Sequence, residues 1–244
     1  MSRKSVAASD PLIVALDFPS VEGILSFLER VGEGIRWVKL GLEAFTRGGP
    51  SLVREIKAMG YSVFLDLKLH DIPNTVRGAL QGLLDLEVDM VSLHCLGGKR
   101  MLKEAVGVLR EGGGKAPLLV GVTVLTSLER DDLREMGIPA SPRDQSLLLS
   151  LLALRCGLDG VVCSAEEVED IRARTGRDFL LVVPGIRWEE MDKGDQARTS
   201  TPGEAVRKGA DFLVVGRPIT RSPEPLAVVE RIRREVEEAR GKGQ

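Results

Sequence analysis

The chain has 244 residues, 43% of them hydrophobic, with 34 basic and 36 acidic side chains and a formal net charge of −2. That length suits one large domain or two small ones, and the near-neutral, interspersed charge gives no footing for a nucleic-acid partner. No run of 18 apolar residues occurs and residues 1–10 form a short polar extension without an apolar core, so neither a membrane span nor a secretion signal is expected. From residue 11 onward, short apolar runs alternate with amphipathic ones. Strands are predicted at 11–17, 35–41, 61–67, 88–94, 117–124, 159–163, 179–184 and 211–215, each rich in Val, Leu and Ile, as strands covered on both faces should be. Helices are predicted between them at 21–31, 50–59, 73–86, 98–110, 144–155, 165–175, 202–208 and 223–240. Ser20, Ser164 and Ser222 suit N-caps, and Gly60, Gly113 and Gly209 suit helix exits.

Eight strand–helix units in about 240 residues fit an α/β fold, the (β/α)₈ TIM barrel, as a single domain over 11–244. An open doubly wound sheet is disfavoured because no Gly-x-Gly-x-x-Gly follows the first strand. Three cysteines, Cys95, Cys156 and Cys163, lack a Cys-x-x-Cys pair and cannot all form disulfides, which fits a reducing cytoplasm. With only His70 and His94 present, a histidine-rich metal site is not expected. Both histidines are expected to be hydrogen-bonded structural residues.

In such a barrel the active site lies at the C-terminal ends of the strands. The predicted strand ends are Asp17, Lys39, Asp66 with Lys68, His94, Thr123, Ser164, Pro184 and Gly216-Arg217. The segment 61–75, Tyr-Ser-Val-Phe-Leu-Asp-Leu-Lys-Leu-His-Asp-Ile-Pro-Asn-Thr, is the most informative. Positions two apart in a strand share a face, so Asp66 and Lys68 point one way and Leu65, Leu67 and Leu69 the other. An acid and a base aimed inward are costly unless that face is a polar site. Asp17, Lys39, Asp66 and Lys68 come from neighbouring strands and can share a pocket, where ammonium groups keep crowded carboxylates ionised. A purely structural reading also exists: buried ion pairs can close a barrel, and Asp71 can cap the helix entered through Pro73.

The last two units carry a second signal. Val-Pro-Gly-Ile-Arg at 183–187 leads into a long polar segment, 188–201, which holds Gln196 and Arg198. Val-Val-Gly-Arg-Pro-Ile at 214–219 ends the eighth strand and starts a short helix. Barrels often bind phosphate at these two loops, where Arg187 and Arg217 could supply forked donors and Gly216 close backbone approach. The competing reading is an ordinary turn with solvated arginines.

The set of segments resembles the orotidine 5′-phosphate decarboxylase family over nearly the whole chain. The resemblance rests on Ala-Leu-Asp at 15–17, Val-Lys-Leu-Gly at 38–41, Asp-Leu-Lys-Leu-His-Asp-Ile-Pro-Asn-Thr at 66–75, Leu-Thr-Ser at 125–127, Pro-Gly-Ile-Arg at 184–187, Asp-Gln at 195–196 and Gly-Arg-Pro-Ile at 216–219. Trp188, where a proline is common, is a mild departure, as is the charged stretch 128–145. The resemblance implies conversion of orotidine 5′-phosphate to UMP, with Lys68 protonating C6 and Asp66 against the departing carboxylate. Asp71 would join the array from the partner subunit of a homodimer, with Ile72 and Thr75 near the ligand. Asp17 and Lys39 would bind ribose hydroxyls, Lys39 completing the charged array. Thr126 and Ser127 would face the base, Pro184 would line the site, and Arg187, Gln196, Gly216 and Arg217 would hold the 5′-phosphate. No metal or organic cofactor is implied.

Three other activities fit parts of the pattern. A magnesium-dependent β-keto acid decarboxylase or hexulose-phosphate aldolase would use Asp-x-Lys-x-x-Asp to hold metal, although such relatives usually carry Gly or Ala after the second Asp. A Schiff-base aldolase would use Lys39 or Lys68. A nucleotide-binding barrel would use the phosphate end without chemistry.

Overall fold

The computed structural model describes residues 10–111, 116–188 and 199–241. Eight parallel strands close into a barrel in chain order: β1 (Leu12–Ala15), β2 (Trp37–Gly41), β3 (Ser62–Leu69), β4 (Met90–His94), β5 (Leu118–Val122), β6 (Gly160–Val162), β7 (Leu180–Val183) and β8 (Phe212–Val215). β8 pairs back onto β1 through Ile13 opposite Val214. All eight predicted strands are present, and this is the expected (β/α)₈ barrel.

The helices are α1 (Val21–Val31), α2 (Leu42–Ala58), α3 (Pro73–Leu84), α4 (Gly98–Glu111), α5 (Arg130–Glu135), α6 (Pro142–Cys156), α7 (Val168–Thr175), α8 (Pro202–Lys208), α9 (Arg217–Thr220) and α10 (Pro225–Gly241). Local chemistry sets several boundaries. Ser20 caps α1 by accepting the Gly23 amide, and Pro73 opens α3. Thr201 and Glu204 form a reciprocal capping box on α8, and Gly209 ends it in the left-handed conformation. Two expectations need correction. α2 starts at Leu42 rather than residue 50 and bends at Gly49, whose φ of 55° breaks the helix before Pro50. Ser164 does not cap α7; its amide donates to Glu167, the residue that precedes the helix. Gly113 lies outside the described residues.

Two apolar layers follow from the pleat. Outward residues such as Val38, Val63, Leu65, Val91 and Leu213 pack under the helices. Ile13, Ala15, Trp37, Phe64, Met90, Val120, Leu180, Val182, Phe212 and Val214 fill the interior. Trp37 and Phe212 meet there nearly edge to face, ring centroids 5.4 Å apart. The N-terminal mouth is tied by aspartates that directly precede even-numbered strands. Asp89, Asp159 and Asp211 accept the amides of Val63, Leu119 and Leu181 at 2.7–2.8 Å. Lys57 and Arg172 pair with Asp89 and Asp211. At the chain's start, Asp10 receives Arg233 of α10 at 2.9 Å.

Candidate active site

The apolar interior gives way to charge one pleat above its last layer. Two residues beyond Ala15, Trp37, Phe64 and Met90 on the same inward rows stand Asp17, Lys39, Asp66 and Ser92. Lys39 Nζ lies 3.4 Å from Asp17 Oδ1 and 3.6 Å from Asp66 Oδ2. Lys68 Nζ lies 2.8 Å from that same Asp66 oxygen. Two ammonium groups therefore flank one carboxylate that is 7% exposed. Gly41 leaves room for the first of them, because a Cβ there would come within 3.1 Å of Lys39 Nζ.

Lys68 does not reach this position by simple strand alternation. Between Leu65 and Leu69 four residues of β3 span what two residues, Val91 to Leu93, span on β4. Lys68 sits in that bulge with φ of 52°, a left-handed conformation uncommon for a residue with a side chain. Ser92 pins it. The buried hydroxyl accepts the Lys68 amide at 2.9 Å and donates to Asp66 Oδ1 at 2.7 Å. Burial by itself would push the Asp66 carboxyl up; Lys39 and Lys68, with hydrogen bonds from Lys68 and Ser92, bring it below the usual carboxylate range. The group is a fixed anion held between fixed cations, the arrangement that electrostatic catalysis requires.

Beside the array, the rings of His70 and His94 stack with centroids 5.3 Å apart. His94 Nδ1 accepts the Leu96 amide, so a neutral ring carries its proton on Nε2. Burial, then the neighbouring His70 and Lys68, lowers the His94 pKa to about 4.

One cleft of about 520 Å³ joins this array to the ends of β7 and β8, a size suited to a small ligand. Of the predicted site residues, Asp17, Lys39, Asp66, Lys68, Thr126, Pro184, Arg187, Gly216 and Arg217 line it. Asp71, Ile72, Thr75 and Ser127 are exposed and do not line it, and Ile72 is 67% exposed. The Asp71 side chain accepts the amide of Ile72 at 2.6 Å. Gln196 lies outside the described residues. Of the other strand ends, Thr123 turns to the Val162 carbonyl, and neither Ser164 nor His94 is on the lining. Sequence reasoning missed Ser92, Glu43 and Arg221. Ser92 was signalled only by being a polar residue at an inward position of an apolar strand. Glu43 and Arg221 lie in α2 and just beyond α9, past the strand ends, yet both line the cleft.

At the β7–β8 end the lining carries Arg187, Arg217 and Arg221. Gly216 precedes the four-residue helix α9, whose first residue is Arg217. The segment after β7 is held by backbone bonds, Arg187 N–H to the Ser200 carbonyl and Ser200 N–H to the Gly185 carbonyl.

Fold and site together define the class: a parallel (β/α)₈ barrel with a charged small-molecule cleft at the C-terminal mouth of its strands. The sequence model of the Orotidine 5'-phosphate decarboxylase / HUMPS family matches residues 10–232, and the chain belongs to that family. The orotidine 5'-phosphate decarboxylase of Actinobacillus pleuropneumoniae serotype 5b is 50% identical over 221 residues, covering 91% of this chain and 96% of that protein. The protein of the same name from Glaesserella parasuis serovar 5 is 49% identical over 225 residues, covering 92% and 98%. The crystal structure of orotidine 5'-phosphate decarboxylase from Lactobacillus acidophilus superposes with a TM-score of 0.83 at 38% identity, covering 93% of this chain and 98% of that one. Membership supports decarboxylation in pyrimidine biosynthesis as the role of this chain, and the named relatives support its being an enzyme.

Proposed function

We propose that this chain converts orotidine 5′-phosphate to UMP, without metal or organic cofactor, as a single catalytic domain over residues 11–244. The observation that carries the reading is Asp66 buried between Lys39 and Lys68 at the barrel mouth. The C6–carboxylate bond breaks, carbon dioxide leaves, and the electron pair stays on C6. No electron sink spreads that charge, so it must be met by nearby cations. Lys68 stabilises the developing carbanion and then gives C6 a proton, which solvent returns to the amine. Asp66 faces the departing carboxylate and keeps Lys68 aimed, its ammonium held at 2.8 Å. Proton transfer alone contributes only about 10²–10⁴-fold, so fixed charge and binding of the rest of the substrate supply the larger share.

Asp17 and Lys39 hold the ribose hydroxyls, Thr126 and Ser127 the base, and Pro184 lines the pocket. Arg187, Gln196, Gly216 and Arg217 hold the 5′-phosphate. The active form is a homodimer in which Asp71, Ile72 and Thr75 enter the partner's cleft, which is consistent with their exposure on their own protomer. A cytoplasmic setting agrees with three cysteines outside any disulfide, and no helix among the described residues is long and apolar enough to cross a membrane. The metal-dependent and Schiff-base alternatives are separated by experiment. Ultraviolet loss of orotidine 5′-phosphate with UMP as product, unchanged by a chelator, is the expected result. In the same assay Lys68→Ala is expected to lose several decades of turnover while still binding UMP; near-normal turnover rejects Lys68 as the proton donor.

A further inference from the structure

The short stretch after β7 carries two large side chains in succession, and they serve different surroundings. Arg187 lines the cleft, whereas Trp188 is buried against the C-terminal helix α10. Its indole Nε1–H donates to Glu235 Oε1 at 2.7 Å. The Arg231 guanidinium stacks on the indole, its carbon 3.9 Å from the ring centroid, within range of a cation–π contact. Arg231 also lies 3.5 Å from Glu235 Oε1, one helical turn away. Trp188 thus meets a prearranged pair on α10, one member accepting its N–H and the other covering its face. The opposite side of the stretch is pinned by the Ile186–Ser200 bridge, with the Arg187 amide on the Ser200 carbonyl. Arg187 is therefore held from both flanks at a point where the chain has just left the sheet.

We infer that Trp188, Glu235 and Arg231 form a clamp on the C-terminal helix that positions Arg187 for the substrate's phosphate. The inference rests on the proposed phosphate role of Arg187. None of the three needs to touch the substrate; they act through the placement of the guanidinium beside them. A bidentate arginine depends on angle as well as distance, so a small displacement of its backbone weakens its grip. The same displacement has no consequence for a ligand without a phosphate.

The test compares orotidine 5′-phosphate with orotidine on the full-length protein. Glu235→Ala is expected to raise KM for the phosphorylated substrate by about tenfold, with kcat/KM on orotidine within about twofold of the parent. Glu235→Gln keeps an acceptor for the indole and is expected to recover most of that loss. Trp188→Phe keeps the ring but not the donor and should behave as Glu235→Ala does. In an Arg187→Ala background, Glu235→Ala is expected to add nothing, because the group it positions is gone. Equal losses on both substrates, no change in KM, or full additivity with Arg187→Ala would each overturn the clamp. Arg217→Ala separates this from the underlying reading. Should it too cost both substrates equally, the phosphate site itself is wrong; should it discriminate while Glu235→Ala does not, only the clamp fails.

Discussion

Taking either lysine from beside Asp66 leaves a carboxylate with a side chain only 10% exposed facing too little positive charge. Burying an ion is repaid only by close partners, so the array stands or falls together. His94 adds a titration of its own. Its pKa falls from 6.5 to about 4 on folding, chiefly through burial. Between those values the unfolded chain binds a proton that the folded chain does not, so stability is full above pH 6.5 and drains as pH drops towards 4. Asp66, with a depressed pKa, adds a loss of the same sign at lower pH. His94→Gln is therefore expected to flatten the pH dependence of urea unfolding between about 6.5 and 4. A slope equal to that of the parent would assign the acid sensitivity elsewhere. At this scale the sequence was most legible where chemistry is dense. Asp17, Lys39, Asp66 and Lys68 are ionisable groups at the ends of apolar runs; strand periodicity brings the first three to one mouth, and the β3 bulge brings Lys68 to them. Ser92 was not legible, because a single serine in Met-Val-Ser-Leu-His has the same appearance whether it faces a cavity or another backbone.

The strands were readable for a physical reason. A parallel strand covered on both faces is apolar at nearly every position, and eight such runs stand clear of the helices between them. Two helical stretches were not. The first turns of α2 run into Gly48-Gly49-Pro50, a breaker by composition, yet the chain resumes its helix after one left-handed residue. α5, Arg-Asp-Asp-Leu-Arg-Glu, offers a single buried apolar residue, Leu133, and so no period at all. The bulge in β3 was out of reach for another reason: it is a property of how β3 pairs with β4. Alternation put Lys68 on the face of Asp66, and the two do meet, but by way of two additional residues and a left-handed backbone. Ser92→Ala tests what holds that conformation. It leaves the Lys68 amide and an Asp66 oxygen without their shared hydroxyl, which should cost about 1–3 kcal/mol in chemical denaturation and lower turnover more than substrate affinity. Unaltered turnover with lowered stability would make Ser92 purely structural.

On the scale of the whole molecule, the exposed Asp71-Ile72 edge needs explaining. Ile72 is the most exposed of the large hydrophobic side chains among the described residues, on a segment only three residues from Lys68. If Asp71 acts across a homodimer, mixing inactive Asp71→Ala and Lys68→Ala proteins restores activity, since each hybrid dimer keeps one complete site. About a quarter of parental activity is the ceiling for equal mixing, one intact site in half of the dimers. No recovery, with subunit exchange demonstrated by native mass spectrometry, would place Asp71 outside the partner's cleft. The opposite mouth of the barrel has its own logic. Asp89, Asp159 and Asp211 each staple an odd strand to the even one that follows, so three quarters of the ring are internally fastened at their roots. The lead-in to β1 is fastened otherwise, by Asp10 gripping Arg233 of the C-terminal helix α10. A circularly permuted version, with old termini fused and new ones cut between two stapled quarters, would therefore inherit every one of these fastenings and lose none.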